Sequence, residues 1–132
     1  MLDWWKSLLR AEKPDNAYLN GFDLDKSELG RIYYIISHYT GKIERNCEIA
    51  QIKIRLKKSV HGKAFLHEIR CTAETNQGIL NATETDYNIF KAVSKCLERI
   101  WHESEHRLRT NRQGERQRGR QGNKNIKRIE DK

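Results

Sequence analysis

Residues 50–58 read AQIKIRLKK. Successive side chains of an extended chain point to opposite faces, so Ile52, Ile54 and Leu56 share one side. Gln51, Lys53, Arg55 and Lys57 share the other. The apolar side needs a core; the basic side needs water or a polyanion. The stretch therefore predicts a strand over 49–57 in a sheet with one covered and one open face. Its neighbours in sequence must supply both the rest of the sheet and the layer that covers it.

Downstream, Lys58-Ser59-Val60-His61-Gly62 reads as a turn. Residues 63–74 then alternate again, with Phe65, His67, Ile69, Cys71 and Ala73 set against Leu66, Glu68, Arg70 and Thr72. Such a turn brings Lys53 or Arg55 opposite Glu68, which would neutralise part of the basic row. Asn76-Gln77-Gly78 is a second turn, and 79–84 is a third short strand with Leu80 and Ala82 facing inward. Strands joined this tightly pair antiparallel.

Upstream, Leu29, Ile32, Ile36, Tyr39 and Ile43 recur at helical spacing and predict a helix over 26–45. Asp25 to Glu28 opens it with capping-box spacing. Gly30 and Gly41 each weaken it by about 1 kcal/mol relative to Ala, so packing must hold it. Residues 17–24, AYLNGFDL, read as a short strand with Tyr18, Phe22 and Leu24 on one side, interrupted at Asn20-Gly21. At the other end, Tyr87, Phe90, Val93, Leu97, Ile100 and Trp101 form an apolar stripe over 86–108, capped by Thr83 to Asp86 (T-E-T-D) or by Thr85 itself. The resulting order is β-α-β-β-β-α. Two one-sided helices on one face of a mostly antiparallel sheet make a two-layer α+β sandwich. The other sheet face stays open, and the basic row lies on it.

The chain divides into an N-terminal amphipathic segment (1–15), the α+β domain (16–108) and a basic, disordered tail (109–132). In the first, Leu2, Trp5, Leu8 and Leu9 share a helical face with Trp4 beside it, ahead of a break at Lys13-Pro14-Asp15-Asn16. This face docks on its own domain, self-associates through Trp4, Trp5 and Leu8, or touches a membrane surface. The net charge of +8 is uneven: +1 over residues 1–106 and +7 over 107–132. A basic extension on a nearly neutral body suggests a nucleic-acid partner or an acidic surface. No apolar run approaches the roughly 20 residues of a membrane span. The start lacks the basic-then-apolar order of a secretory signal, so a cytoplasmic location is expected. Cys47, Cys71 and Cys96 are few and far apart, and read as buried free thiols.

The order and several short runs resemble the ribosome hibernation promoting factor family, which includes the ribosome-associated translation inhibitors. The resemblance covers roughly residues 17–107. Lys42-Ile43-Glu44-Arg45 is similar to the family's K-L-E-R at the end of the first helix, and Gln51–Leu56 to the V-x-V-x-L strand that follows. Asn81-Ala82-Thr83-Glu84 resembles its H-A-x-A strand. Asp86-Tyr87-Asn88-Ile89-Phe90, continuing to Leu97-Glu98-Arg99, resembles its D-M-Y-x-A-I…K-L-x-R-Q-L helix. Lys91 stands where the family usually has Asp, and Cys96 where it usually has Lys. The resemblance implies a β-α-β-β-β-α fold. It also implies binding in the decoding channel of the small ribosomal subunit, and silencing of translation by excluding mRNA and tRNA without catalysis. The remaining 25 residues are too few for the second, dimerising domain of the family's long members.

Candidate RNA contacts fall in three groups. Lys53, Arg55 and Lys57, with Lys58 in the turn and Arg70 on the outer side of the next strand, suit phosphates across an open sheet. The bland alternative is a solvated face with cross-strand ion pairs. Lys91, Lys95 and Arg99 recur every fourth residue on the second helix, followed by His102 and His106. Like charges at that spacing cost a few tenths of a kcal/mol each, as a partner-binding stripe would. Arg107 and Arg109 begin a series continued by Arg112, Arg116, Arg118 and Arg120, spaced by Gln, Asn and Gly. Such a segment follows phosphates and orders on binding, or simply keeps the chain in solution. The five histidines form no metal motif, and no nucleophile elbow, phosphate loop or paired-carboxylate signature occurs. The expected function is non-enzymatic and cofactor-free: a ribosome-bound silencing factor, or alternatively a module for structured or double-stranded RNA, whose element order overlaps.

Overall fold

The structure, a computed structural model, describes residues 13–120, with side chains as far as Thr110. The amphipathic run with Trp4, Trp5 and Leu8 lies outside the described residues, as does everything after Arg120. The elements are β1 (Ala17–Asn20), α1 (Lys26–Ile43), β2 (Ile49–His61), β3 (Ala64–Thr75), β4 (Gly78–Asp86) and α2 (Ile89–Arg120). This is the β-α-β-β-β-α order that the sequence predicts. The four strands form one sheet in chain order, with β1 parallel to β2 and the other pairs antiparallel.

The alternation of β2 sets the layers. Ile52, Ile54 and Leu56 are buried, joined across the sheet by Ala17, Ile69, Cys71, Ala73, Leu80 and Ala82. α1 covers them with Ile32, Ile36 and Ile43, and α2 with Val93, Cys96, Leu97 and Ile100. α1 starts as its sequence predicts. The Asp25 carboxylate accepts from the Glu28 backbone N–H at 2.7 Å, and the Glu28 carboxylate accepts from the Asp25 N–H at 3.3 Å. Cys71 and Cys96 are fully buried, Cys47 is nearly so, and all three are free thiols. Burial pushes the Cys71 thiol well up.

Several boundaries differ from expectation. β1 ends at Asn20, not 24. Gly21 has φ +86°, and a Cβ there would collide with the Leu56 carbonyl, so the chain turns away at a position only glycine fills without strain. Tyr18 consequently faces out, 51% exposed, while Phe22 and Leu24 pack on the core. β2 does not turn at 58 but runs to His61, and the turn is Gly62-Lys63 with His61 paired to Ala64. Positive φ at Gly62 and negative φ at Lys63 is the type II′ hairpin pattern. α2 is capped by Asn88, not by the Thr83-to-Asp86 run or by Thr85. The Asn88 side-chain oxygen accepts from the N–H groups of Phe90 (2.9 Å) and Lys91 (3.1 Å). Tyr87, expected in its apolar stripe, precedes the helix and is 58% exposed. The backbone of α2 remains helical to Arg120, past the last apolar residue of the stripe. Arg, Gln and Glu propagate a helix already nucleated by its packed part.

Candidate nucleic-acid interface

On the uncovered face, register decides which charges meet. Lys53 lies opposite Thr72, Arg55 opposite Arg70, and Lys57 opposite Glu68. The expected partnership of Glu68 with Lys53 or Arg55 is therefore wrong, because the turn sits further along the chain and slides every pairing with it. Glu68 faces Lys57, with no ion pair within 4 Å, and Lys53 reaches Glu74 at 4.0 Å across 59% exposed side-chain surface. An exposed pair at that distance contributes little. Arg55 and Arg70 have no carboxylate partner among the described residues. Two guanidinium groups placed directly cross-strand repel each other. Asn20, Thr83, Asn81 and Tyr18 complete this face, which presents hydroxyl, amide and aromatic groups around the cations.

Lys58 does not belong to this row. It shares the parity of Ile54 and Leu56, on the covered side but beyond the helices. There its ammonium lies 5.4 Å from the centre of the Phe65 ring. Val60 and Phe65 pair at the same projecting hairpin end and are 68% and 53% exposed.

The stripe on α2 is only partly available. Lys95 Nζ lies 3.1 Å from Asp86 Oδ2 and donates to the Thr85 carbonyl at 3.0 Å. Arg99 Nη1 donates to Glu84 Oε2 at 2.7 Å and to the Thr83 carbonyl at 3.4 Å. Both partners are acids of β4 that sequence spacing along the helix could not show. The Asn88 N–H and then the Lys95 ammonium hold the Asp86 carboxyl below the usual carboxylate range, and Glu84 pushes the Arg99 guanidinium up. His102 sits between Glu98 (3.7 Å) and Glu105 (3.3 Å) and stacks on Trp101. Of Lys91, Lys95 and Arg99, Lys91 alone makes no ion pair among the described residues. Arg107 acts as a tie: its guanidinium donates to Glu103 (3.3 Å) and to the Gln77 carbonyl (3.0 Å), pinning α2 to the β3–β4 turn. Arg109 is exposed on the same helix.

The structure thus brings Lys53, Arg55, Lys57 and Arg70 together on one face. It sets Lys91, Lys95, Arg99, Arg107 and Arg109 along α2 in the other layer. Tyr18, outward on β1, is an addition that the alternation misplaced.

No protein-family model matches the chain, and no curated protein matches it. Among solved structures, the crystal structure of the N-terminal domain of Protein Y from Thermus thermophilus is similar, with a TM-score of 0.51 and 15% identity. The match covers 68% of this chain and 93% of that one. At that identity the likeness shows the fold, and a fold alone does not assign a function.

Proposed function

We propose that this chain is a ribosome-associated silencing factor. Its open sheet face lies on small-subunit rRNA in the decoding channel, and the bound domain keeps mRNA and tRNA out by occupying their path. The observation that carries the proposal is the Arg55–Arg70 pair, flanked by Lys53 and Lys57 on a face that no helix covers. Placing like charges opposite each other opposes folding, and a polyanion laid across them turns that repulsion into binding. The resemblance of Lys42–Arg45, Gln51–Leu56 and Asp86–Phe90 to the hibernation promoting family supports the same reading, as does the β-α-β-β-β-α order which that resemblance implies. Lys53, Arg55, Lys57 and Arg70 supply the main phosphate contacts, with Lys91 and Arg109 adding to the field. Lys95, Arg99 and Arg107 act chiefly as ties within the domain. Binding and exclusion need no catalysis and no cofactor, and they place the protein where ribosomes are, in the cytoplasm. No helix among the described residues is long and apolar enough to cross a membrane.

The test is co-sedimentation with purified small subunits over a range of salt. The chain should travel with the subunit at low salt and lose it steeply as salt rises. The double variant R55Q/R70Q should bind more weakly with a shallower salt slope, since it neutralises fewer phosphates. Protein that stays at the top of the gradient at low salt overturns the proposal. So does binding that persists when mRNA and initiator tRNA already fill the subunit, which would point instead to a general module for structured RNA.

A further inference from the structure

β1 and β4 run in the same direction, so the helices that follow them also run in the same direction. The contacts between the helices and their ends keep step. The Arg31 guanidinium lies 4.1 Å from the centre of the Phe90 ring, Lys42 Nζ 4.3 Å from that of Trp101, and Asn46 Nδ2 2.9 Å from Ser104 Oγ. Both helix N-termini, each the positive end of its dipole, therefore sit at one end of the helical layer. α1 answers its own with Asp25 and Glu28. α2 carries no acid in its first turn and has Lys91 there instead, a placement that the dipole disfavours.

Between the start of α2 and the second and third turns of α1 lies an open cleft of about 320 Å³. Arg31 and Lys91 line it, and neither is within ion-pair distance of a carboxylate among the described residues. Asp86 is near enough to feel Lys91, but its carboxylate is engaged by the Asn88 N–H and by Lys95. Tyr34 stands on the α1 wall, 48% exposed. Ile35 and Phe90 make an apolar back, and Ser94 adds a hydroxyl.

We propose that this cleft binds a nucleotide, its phosphate held by Arg31 and Lys91 and its base laid against Tyr34. Two cations without a carboxylate partner on adjoining walls fit a phosphate, and Arg31 is already held over the Phe90 ring. A phosphate alone would leave the exposed ring and the apolar back unused. A flat heterocycle carrying the phosphate uses both. The volume lies at the lower end of small-molecule pockets, which begin at about 300 Å³. The nucleotide has two sources, a free nucleoside phosphate or one residue of a single strand of RNA.

The experiment is a titration of the full-length, nitrogen-15-labelled chain with adenosine monophosphate, inorganic phosphate, adenosine and a single-stranded tetranucleotide, read from backbone amide shifts. Adenosine monophosphate should move the amides of Tyr34, Lys91 and Ser94 saturably, and bind more tightly than phosphate or adenosine. Arg31→Gln and Lys91→Gln should each weaken it about tenfold or more, as loss of a charge-assisted contact does. Tyr34→Ala should weaken adenosine monophosphate while leaving phosphate alone. Tighter binding of the tetranucleotide assigns the site to RNA, and tighter binding of the mononucleotide assigns it to a free ligand. The absence of saturable shifts, phosphate binding as tightly as the nucleotide, or affinity unchanged in both charge variants overturns the proposal. Spectral dispersion shows whether each variant is folded. R55Q/R70Q should leave the adenosine monophosphate shifts of Tyr34, Lys91 and Ser94 unchanged, since neither arginine lines the cleft, so failure here and failure of ribosome binding are separate results.

Discussion

Arg55 and Arg70 show how one pair of residues can oppose folding and favour binding. Their repulsion across the β2–β3 ladder predicts that Arg70→Thr raises stability by about 0.2–1 kcal/mol, the range of a cross-strand pair. The same change should weaken sedimentation with small subunits. A urea midpoint that rises while subunit binding falls is the expected joint outcome. Asp86 makes a second residue-level prediction. Its carboxyl is held low by the Asn88 N–H and then by Lys95. A carboxylate whose folded pKa lies below its unfolded one stabilises the fold above the unfolded value, about 3.9 for Asp. That contribution disappears as pH falls through the folded value. Asp86→Asn should therefore lower the urea midpoint at neutral pH, with the gap from the unmodified chain closing at pH below about 4.

At the scale of elements, α2 depends on a residue that neither the apolar stripe nor the expected caps revealed. Asn88→Ala removes the acceptor for two otherwise orphaned N–H groups and should cost about 1 kcal/mol, within the usual 0.5–2 for a lost cap. Thermal unfolding followed by circular dichroism measures it. Periodicity made both helices and the central strand legible, because Ile52, Ile54 and Leu56 fit only one face of a sheet. Register was less legible. Placing the first turn at 58–62 rather than at Gly62-Lys63 shifts the partner of Glu68 from Lys57 to Arg55 or Lys53. The glycine that makes the type II′ turn was the available signal. The ties on α2 had a signal as well. Leu80, Ala82, Glu84 and Asp86 share one parity on β4, so the two acids continue the row that lies under the helix and meet Lys95 and Arg99. A helix read along its own surface cannot show charges that arrive from a neighbouring strand.

For the molecule as a whole, strand parity sorts its charges. Because the apolar residues of β2, β3 and β4 all point to one side, both helices lie on that layer and leave the other face bare. On the helical layer, Lys95, Arg99 and Arg107 are bonded to carboxylates within the domain. On the bare face, Arg55 and Arg70 are not. Formal charge over residues 1–106 is close to neutral, yet its spatial division leaves one face basic. That division depends on long-range pairing, which composition does not record, and it is where the sheet and helix contributions to the proposed RNA contact separate.

The three sealed thiols have a practical consequence. Cys71 and Cys96 sit at the meeting of sheet and α2, while Cys47 lies at the entry to β2 and retains 7% exposure. An added disulfide reagent can reach each sulfur only when its surroundings open. The chain thus carries its own clocks for breathing motions. Cys47 should react first, through a local excursion. Cys71 and Cys96 should react slowly and together, at a rate that follows global unfolding. Should ribosomal subunits protect all three, the change in labelling rate would measure how far the bound surface stiffens the whole domain.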